Sequence, residues 1–249
     1  QSIDTSFDMG FNTARVMATS LSASYLSIED TRGIKTTKYH LPLSYTIESS
    51  ENQNKKITFL LPIGLTDAEG AKAYDLGLGV SVGLPVTENW VLTPTILYGV
   101  TGSTDMGSLG QVMSGSLVSS YKIEMSSGTI GIGNMIGYSQ TVKLYSGDYA
   151  YDPGIKNLVF KNGLSYGFDL EGIAKGANLN LFAVNTQYTG TDLYMDNYNE
   201  FGFSFGLTKT TKSTPDSKIA QIASDLRLGV TYLASNKSDG FKVNLGYKF

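Results

Sequence analysis

The sequence predicts an all-β fold, a closed antiparallel transmembrane β-barrel of about twelve strands. Segments with strict period-2 alternation recur from end to end, and the face opposite the apolar one is mostly Gly, Ser and Thr. In residues 74–85, YDLGLGVSVGLP, the apolar side chains take every even position. A soluble β-sandwich would place charged side chains on its outer face, whereas a membrane barrel turns its apolar face to lipid and its polar face to the lumen.

Composition supports strands and excludes two other classes. The 249 residues include 28 Gly, 16 Tyr and 11 Phe but only 16% charged residues, a mixture that favours strands and turns. The net charge of -3, without a basic stripe, excludes a nucleic-acid partner. The longest strongly apolar stretch, residues 59–65, is far shorter than the roughly 20 residues that a membrane-spanning helix needs.

The candidate strands follow one another along the chain. The first lies somewhere within residues 16–28 and is included partly because single-chain bacterial barrels have an even strand number. The other candidates are residues 39–47, 57–63, 74–85, 90–100, 113–125, 130–138, 158–168, 178–188, 200–208, 225–233 and 241–249. The facing of 178–188 stays open, since either Leu179 and Leu181 or Phe182 and Val184 would form its apolar set.

The connections between candidate strands alternate in length. Those near residues 86–89 and 126–128 are tight, while those at 102–110, 141–155 and 189–199 are longer. Short turns at one end and long loops at the other are typical of outer-membrane barrels. One segment departs from this layout, because residues 209–221 are long yet fall on the predicted periplasmic side.

The last nine residues, FKVNLGYKF, alternate perfectly up to the terminal aromatic. This segment resembles the C-terminal β-signal that the assembly machinery of Gram-negative outer membranes recognises. The residues that carry the resemblance are Phe241, Val243, Leu245, Tyr247 and Phe249. The resemblance implies a bacterial outer-membrane location, with lipid and the assembly machinery as partners, and a closing strand that pairs with the first.

A barrel of about twelve strands in 249 residues also resembles the translocator domain of autotransporters, including solitary forms. This resemblance implies a translocator or pore, divided into a lumenal N-terminal segment, residues 1–20, and a barrel, residues 21–249. Apolar residues recur there at helical spacing, at Phe7, Phe11, Ala14 and Ala18. A frayed arm or part of the first strand is the alternative structure. A small passive diffusion pore, and a surface enzyme or adhesin using the long loops, are the alternative functions.

The only histidine, His40, is expected on the lumen side of its strand near the outer rim, with Glu29 and Asp30 as neighbours. Outer-membrane hydrolases place a histidine in such a position. However, a lone polar residue in a polar lumen needs no special role, so we expect no catalytic residue and no enzyme.

Two segments are rich in Tyr and Asp, residues 145–152 and 188–199. Tyrosine provides contact area for recognition, which makes these residues candidate loop contacts: Tyr145, Tyr149, Tyr151, Tyr194 and Tyr198. Alternatively, Tyr149, Tyr188 and Tyr194 belong to an interfacial aromatic girdle. The Asp residues lack the spacing of a calcium-binding loop, so neither a metal nor another cofactor is expected.

The charged residues expected in the lumen are few and mixed in sign. Together with His40 they are Lys122, Glu124, Lys161, Asp225, Arg227 and Lys242. A selective pore often lines its constriction with one sign of charge, whereas mixed charges favour internal ion pairs that stiffen the wall or hold a plug. We expect the barrel to be a monomer.

Overall fold

The computed structural model describes residues 20–30, 33–49, 55–103, 105, 108–146, 149–170, 177–193, 195–207 and 226–248. Segment 1–19, on which the predicted lumenal helix depends, lies outside these residues. Within the described part of the chain, no helix is long and apolar enough to cross a membrane.

Twelve strands form a closed antiparallel barrel, as the alternation predicts. They are β1 (Ser20–Asp30), β2 (Lys35–Glu48), β3 (Lys56–Ala68), β4 (Ala71–Pro85), β5 (Trp90–Ser103), β6 (Ser108–Met125), β7 (Gly128–Val142), β10 (Lys156–Asp169), β11 (Ala177–Gly190), β12 (Asn197–Leu207), β13 (Leu226–Ala234) and β14 (Ser238–Lys248). Two further strands, β8 (Leu144–Ser146) and β9 (Tyr149–Tyr151), form a separate hairpin between β7 and β10.

The barrel closes where the last strand pairs with the first. Pairs run without interruption from Ser20 opposite Lys248 to Asp30 opposite Ser238. Closure leaves no open sheet edge, whose free backbone groups would be costly in lipid. The predicted pairing of the closing strand with the first is therefore confirmed.

The pairing register determines the dimensions of the barrel. Following paired residues from Gly110 on β6 once around the barrel leads back to Glu124 on the same strand, a shift of 14 residues. With a strand spacing of about 4.8 Å and a rise of about 3.3 Å per residue, this shift corresponds to a strand tilt of about 39° and a backbone radius of about 12 Å.

The outward face of the barrel is apolar. Large hydrophobic side chains are exposed along its strands, among them Leu78, Ile96, Phe203 and Phe241. Water would not solvate such a continuous surface, so this face requires an apolar medium. Aromatic pairs reinforce it between neighbouring strands, with ring centroids 5.4 Å apart for Tyr25 and Tyr39 and 5.1 Å apart for Tyr232 and Phe241.

The structure decides the open facing of β11. Leu181 is exposed on the outside opposite Phe203, whereas Phe182 and Val184 are buried on the inside. The outward set of this strand is therefore the one that contains Leu179 and Leu181.

The two ends of the barrel are named here by the termini. The terminal rim carries the start of β1 and the end of β14, and the far rim is the opposite end. At the far rim β3 and β4 are joined by Glu69 and Gly70 alone, with φ angles of 52° and 92°.

Strands β5 and β6 stay paired as far as Ser103 and Ser108. The connection expected at 102–110 is thus shorter than predicted, because backbone pairing continues through its Gly and Ser residues. Segment 209–221, between β12 and β13, lies outside the described residues.

Candidate functional site

The lumen wall is lined largely by small residues, and bulky side chains on one strand cover glycines on the next. A β-carbon placed at Gly202 would lie 2.5 Å from Phe182 Cζ, and one placed at Gly77 would lie 2.8 Å from Pro62 Cγ. Both are directly paired positions. The glycines of the polar face therefore provide the space into which their neighbours' side chains lean.

A buried ion pair joins β12 to β14 across β13. The Lys242 ammonium lies 3.7 Å from a Glu200 carboxylate oxygen, and the two side chains are 11% and 7% exposed. Burial at low dielectric makes such a pair sensitive to the loss of either partner. Lys242 was among the predicted lumen charges but Glu200 was not, although it shares the alternation phase of Gly202 and Ser204.

A second pair lies near the far rim, centred four strands away around the barrel. Lys38 Nζ, on β2, is 3.8 Å from an Asp75 carboxylate oxygen on β4. The Asp75 side chain lies over Gly64, where an added β-carbon would lie 3.0 Å from Oδ2. The lysine is 5% exposed and the aspartate 35% exposed, so this pair is more hydrated than the first. This pair was not predicted from the sequence, because Lys38 precedes the predicted start of its strand.

The wall formed by β6, β7, β10 and β11 is packed more tightly. Val118, Met135 and Val159 form a buried apolar cluster, against which Tyr188 packs. Lys161, one of the predicted lumen charges, is buried two residues from Val159 and pairs directly with Thr186. Thr186 is fully buried, as is almost all of Val159. The middle of the lumen is thus filled along this wall.

Three of the remaining predicted lumen charges lie near the terminal rim. Lys122 and Glu124 are partly exposed at the end of β6, with 2.8 Å between their charged atoms. Arg227 Nη2 donates a hydrogen bond of 3.2 Å to Asn178 Oδ1. Asp225 lies outside the described residues.

His40 lies inside the barrel near the middle of β2. Along its row it pairs with Ser24 on β1 and Gly64 on β3, and Asp75 is the next position after Gly64. Glu29, expected as a neighbour, instead lies close to Lys35 at 3.8 Å. Asp30 accepts a hydrogen bond of 3.0 Å from the backbone of Ile34 and so closes the turn between β1 and β2.

Of the candidate loop tyrosines, Tyr198 is the one whose side-chain surroundings the structure describes. Tyr198 belongs to β12, not to a loop, and is buried with its ring centroid 6.4 Å from that of Tyr188. The backbones of Tyr145, Tyr149 and Tyr151 belong to the hairpin of β8 and β9. Tyr194 lies outside the described residues.

The turn between β9 and β10 is fixed to the end of β7 by a carboxylate. Asp152 Oδ1 accepts hydrogen bonds of 2.7 Å from Thr141 Oγ1 and 2.9 Å from the backbone of Gly154, whose φ is 68°. These two bonds, together with Lys156 and Lys143, lower the pKa of Asp152 below its ordinary value. Within the described residues, no group of three His, Cys, Asp or Glu side chains is placed to hold a metal ion.

An open groove of about 670 Å³ lies at the far rim beside β11, β12 and the turn after β13. Its lining is mostly polar: Gln187, Tyr188, Asp196, Asn197, Asn199, Ala234, Ser235 and Asn236. Charged side chains are not clustered among its described lining residues, so the groove indicates no particular class of ligand.

The proposed assembly signal lies on the closing strand. Phe241, Val243 and Leu245 are exposed on the outward face of β14. The backbone of Tyr247 pairs with Leu21 of β1, and Phe249 lies outside the described residues.

No protein-family model matches the chain, and no curated protein is detectably similar to it in sequence. Solved structures resemble it in fold. The β-domain of the Bordetella autotransporter BrkA is 14% identical, with a TM-score of 0.61 and coverage of 93% of this chain and 99% of that one. The translocator domain of NalP from Neisseria meningitidis is 12% identical, with a TM-score of 0.57 and coverage of 94% and 89%. An outer-membrane channel from Pseudomonas putida is 14% identical, with a TM-score of 0.56 and coverage of 93% and 94%.

These similarities concern the whole barrel and not an isolated motif. The chain covers almost the full length of the translocator domains that it resembles. The chain therefore has the twelve-stranded barrel fold found in autotransporter translocator domains and outer-membrane channels.

Proposed function

We propose that this chain resides in a bacterial outer membrane and acts as an autotransporter-type translocator barrel, with residues 1–19 occupying its lumen; the boundary moves from residue 20 because Ser20 belongs to β1. The apolar outward face supports the membrane location, and the similarity to translocator domains supports the class. The assembly machinery would recognise the outward-facing residues of β14.

The proposal that an N-terminal segment lies in the lumen rests on the burial of the inner wall. An open, water-filled tube with a backbone radius of about 12 Å leaves much of its lining accessible to water. Here Lys38 and Lys161 are each 5% exposed and Thr186 is 0% exposed. A filled lumen, as a translocator with an inserted segment would have, agrees with this burial better than a passive pore does.

Planar-bilayer conductance of the full chain and of a variant lacking residues 1–19 tests the proposal. The full chain should show small, mostly closed conductance, and the truncated barrel should open to conductances several-fold larger. A large steady conductance in the full chain, or no change after truncation, would favour the passive pore instead. The matched control is a scrambled segment 1–19 of the same composition, which should fail to close the barrel.

The passive pore is the second candidate because the fold also resembles an outer-membrane channel. Its wall charges are mixed, since Lys242 faces Glu200 and Lys38 faces Asp75. Such compensated pairs would give weak ion selectivity. A ratio of cation to anion permeability near one in the truncated barrel would agree with this wall.

We propose that the barrel is not an enzyme. The residues that would accompany His40 in hydrolysis are Ser24 and Asp75 of the same row, but the Asp75 carboxylate lies near Lys38. Hydrolysis of phospholipid or peptide substrates that is present in the full chain and absent in His40→Ala would overturn this proposal.

A further inference from the structure

A row of asparagines crosses the outward face of four neighbouring strands. Asn134 on β7 pairs with Asn162 on β10, Asn162 pairs with Asn185 on β11, and Asn185 pairs with Asn199 on β12. The register therefore places four amide side chains side by side on the face that is otherwise hydrophobic.

The upper end of this row, near the far rim, is hydrogen-bonded within the chain. Asn185 Nδ2 donates to Asn199 Oδ1 at 2.9 Å and to Asn197 Oδ1 at 3.0 Å. Gln187 Nε2 donates to Asn185 Oδ1 at 2.9 Å. These amides satisfy one another and border the polar groove of the far rim.

The lower end of the row differs. Asn134 lies six residues from the start of β7 and eight from its end, and Asn162 is likewise central in β10. Both asparagines are exposed, and the residues two positions before and after them on the same strands are exposed and hydrophobic: Ile132, Ile136, Phe160 and Leu164. Among the described residues, neither side chain has a hydrogen-bond partner. Water would satisfy such amides, but the hydrocarbon of a membrane would not.

The other strands show what the middle of this face is normally made of. On β4 the outward residues are Leu76, Leu78 and Val80, and on β12 they include Phe203 and Phe205. On its other side the row continues to Ser119 of β6, which is paired with Asn134 and whose Oγ accepts a hydrogen bond of 2.9 Å from Trp90 Nε1. Asn134 and Asn162 are therefore the two amides of the row that lie at mid-strand without a hydrogen-bond partner among the described residues.

We propose that Asn134 and Asn162 form the centre of an interface with a second copy of this chain in the membrane. The carboxamide carries both donors and acceptors, so the pair is complementary to itself. Copies inserted in the same direction are related by a twofold axis parallel to the barrel axis, and each residue then meets residues at its own depth. This inference rests on the proposed membrane location but not on the proposed translocation.

The tilt of the row explains why only these two of its four asparagines would take part in the contact, together with adjacent residues of β7 and β10. A row inclined by about 39° on one barrel crosses the equivalent row of a facing barrel at a steep angle. Only the residues at the crossing point meet, and the internally bonded Asn185 and Asn199 lie away from it. The proposed dimer replaces the monomer expected from the sequence.

Disulfide cross-linking tests the interface directly, because the chain has no cysteine. Leu164→Cys places a thiol beside Asn162, and Ile63→Cys places one on an exposed position of β3, across the barrel. In phosphatidylcholine vesicles under mild oxidation, Leu164→Cys should form a species of doubled mass and Ile63→Cys should remain at single mass. Adding Asn134→Leu and Asn162→Leu to Leu164→Cys should reduce the cross-linked fraction about tenfold.

Sedimentation equilibrium in detergent gives a second, cysteine-free measurement. The Asn134→Leu/Asn162→Leu variant should dissociate with a Kd raised at least about tenfold, whereas Asn185→Leu/Asn199→Leu should leave the Kd within about twofold. Heat-modifiability on gels checks that every variant retains a folded barrel.

Several outcomes would overturn the proposed interface. They are a wild-type chain that stays monomeric at every concentration, equal cross-linking at Leu164→Cys and Ile63→Cys, or cross-linking in native membranes to a species other than a second copy. Protease protection in the same vesicles separates this result from the proposed function. A chain that fails to insert contradicts the membrane location, while one that inserts but stays monomeric contradicts only the dimer.

Discussion

The inner wall formed by β10 and β11 and the inner wall formed by β4 are built differently, although their outward faces are alike. The first wall presents large or charged side chains that are all buried: Val159, Lys161, Phe182, Val184 and Thr186. The second presents Asp75 and, beyond it, only small residues: Gly77, Gly79, Ser81 and Gly83. The medium outside demands the same apolar surface everywhere, whereas the inner face differs in side-chain size from one strand to another.

The comparison shows that glycine has two roles in this barrel. Gly202 is covered by Phe182 and by the Val230 carbonyl oxygen, so its hydrogen atom is required by packing. Gly99, beside β4, has no atom closer to an added β-carbon than the Leu76 carbonyl oxygen at 3.6 Å. Gly202 therefore cannot carry a methyl group without displacing Phe182, whereas Gly99 has space for one; within β4 itself, Gly77 and Gly79 are covered almost as closely as Gly202, by Pro62 and by the Ile96 carbonyl oxygen.

The largest effect is expected from the buried charge pair that joins β12 to β14. Glu200→Gln removes the negative charge 3.7 Å from Lys242 while the ammonium stays buried. The free energy of unfolding, measured with denaturant in lipid vesicles, should fall by about 3 kcal/mol. Asp75→Asn breaks the Lys38–Asp75 pair, whose carboxylate is better hydrated, and should lower the free energy of unfolding by about 1 kcal/mol or less.

A double variant controls for side-chain volume. Glu200→Leu with Lys242→Met removes both charges and should return the free energy of unfolding to within about 1 kcal/mol of the wild-type value. Equal losses of unfolding free energy for Glu200→Gln and Asp75→Asn would show that the two ion pairs do not differ in the effect of burial.

The same substitution at Gly202 and at Gly99 should change stability in opposite directions. Gly202→Ala places a methyl group against Phe182 and should lower the free energy of unfolding by about 1–3 kcal/mol. Gly99→Ala meets no obstacle and should raise it by about 0.5 kcal/mol, because alanine restricts the unfolded chain. Denaturant midpoints measured side by side check both, and a stabilising Gly202→Ala would contradict the packing of Phe182.

The smallest effect is local and depends on pH. Asp152 anchors the turn at the top of β7 and β10, and its pKa in the folded state is lowered from the ordinary value of 3.8. Its contribution is therefore complete above pH 3.8 and is lost as the pH falls through the lower folded pKa. Hydrogen exchange of the Gly154 amide should stay slow at pH 4 and accelerate only at lower pH.

Asp152→Asn is the matched variant for this turn. Its amide oxygen retains an acceptor for Gly154, but it has no charge to titrate. The exchange rate of Gly154, after correction for intrinsic exchange, should then show no step at acidic pH. A step of equal size in the variant would assign the pH effect to another group.

Glu200 and Tyr198 show which structural features period-2 alternation predicts and which it does not. Glu200 has the same phase as Gly202 and Ser204, so the sequence placed it on the inner face, but nothing in one strand indicated that Lys242 would lie opposite. Tyr198 was assigned to a loop because the apolar pattern starts at residue 200, whereas backbone pairing begins at Asn197. Alternation thus reports faces reliably and strand ends poorly, because pairing needs no apolar side chain.

The sequence by itself determined the barrel, its approximate strand number and the side on which each strand is apolar. These properties follow from period-2 alternation and from the need to satisfy every backbone group in an apolar medium. The tertiary structure alone decided the shift of 14 residues, the Glu200–Lys242 and Lys38–Asp75 pairs and the row of asparagines across four strands. Register between strands sets which distant residues become neighbours, and the alternation of a single strand carries no information about it.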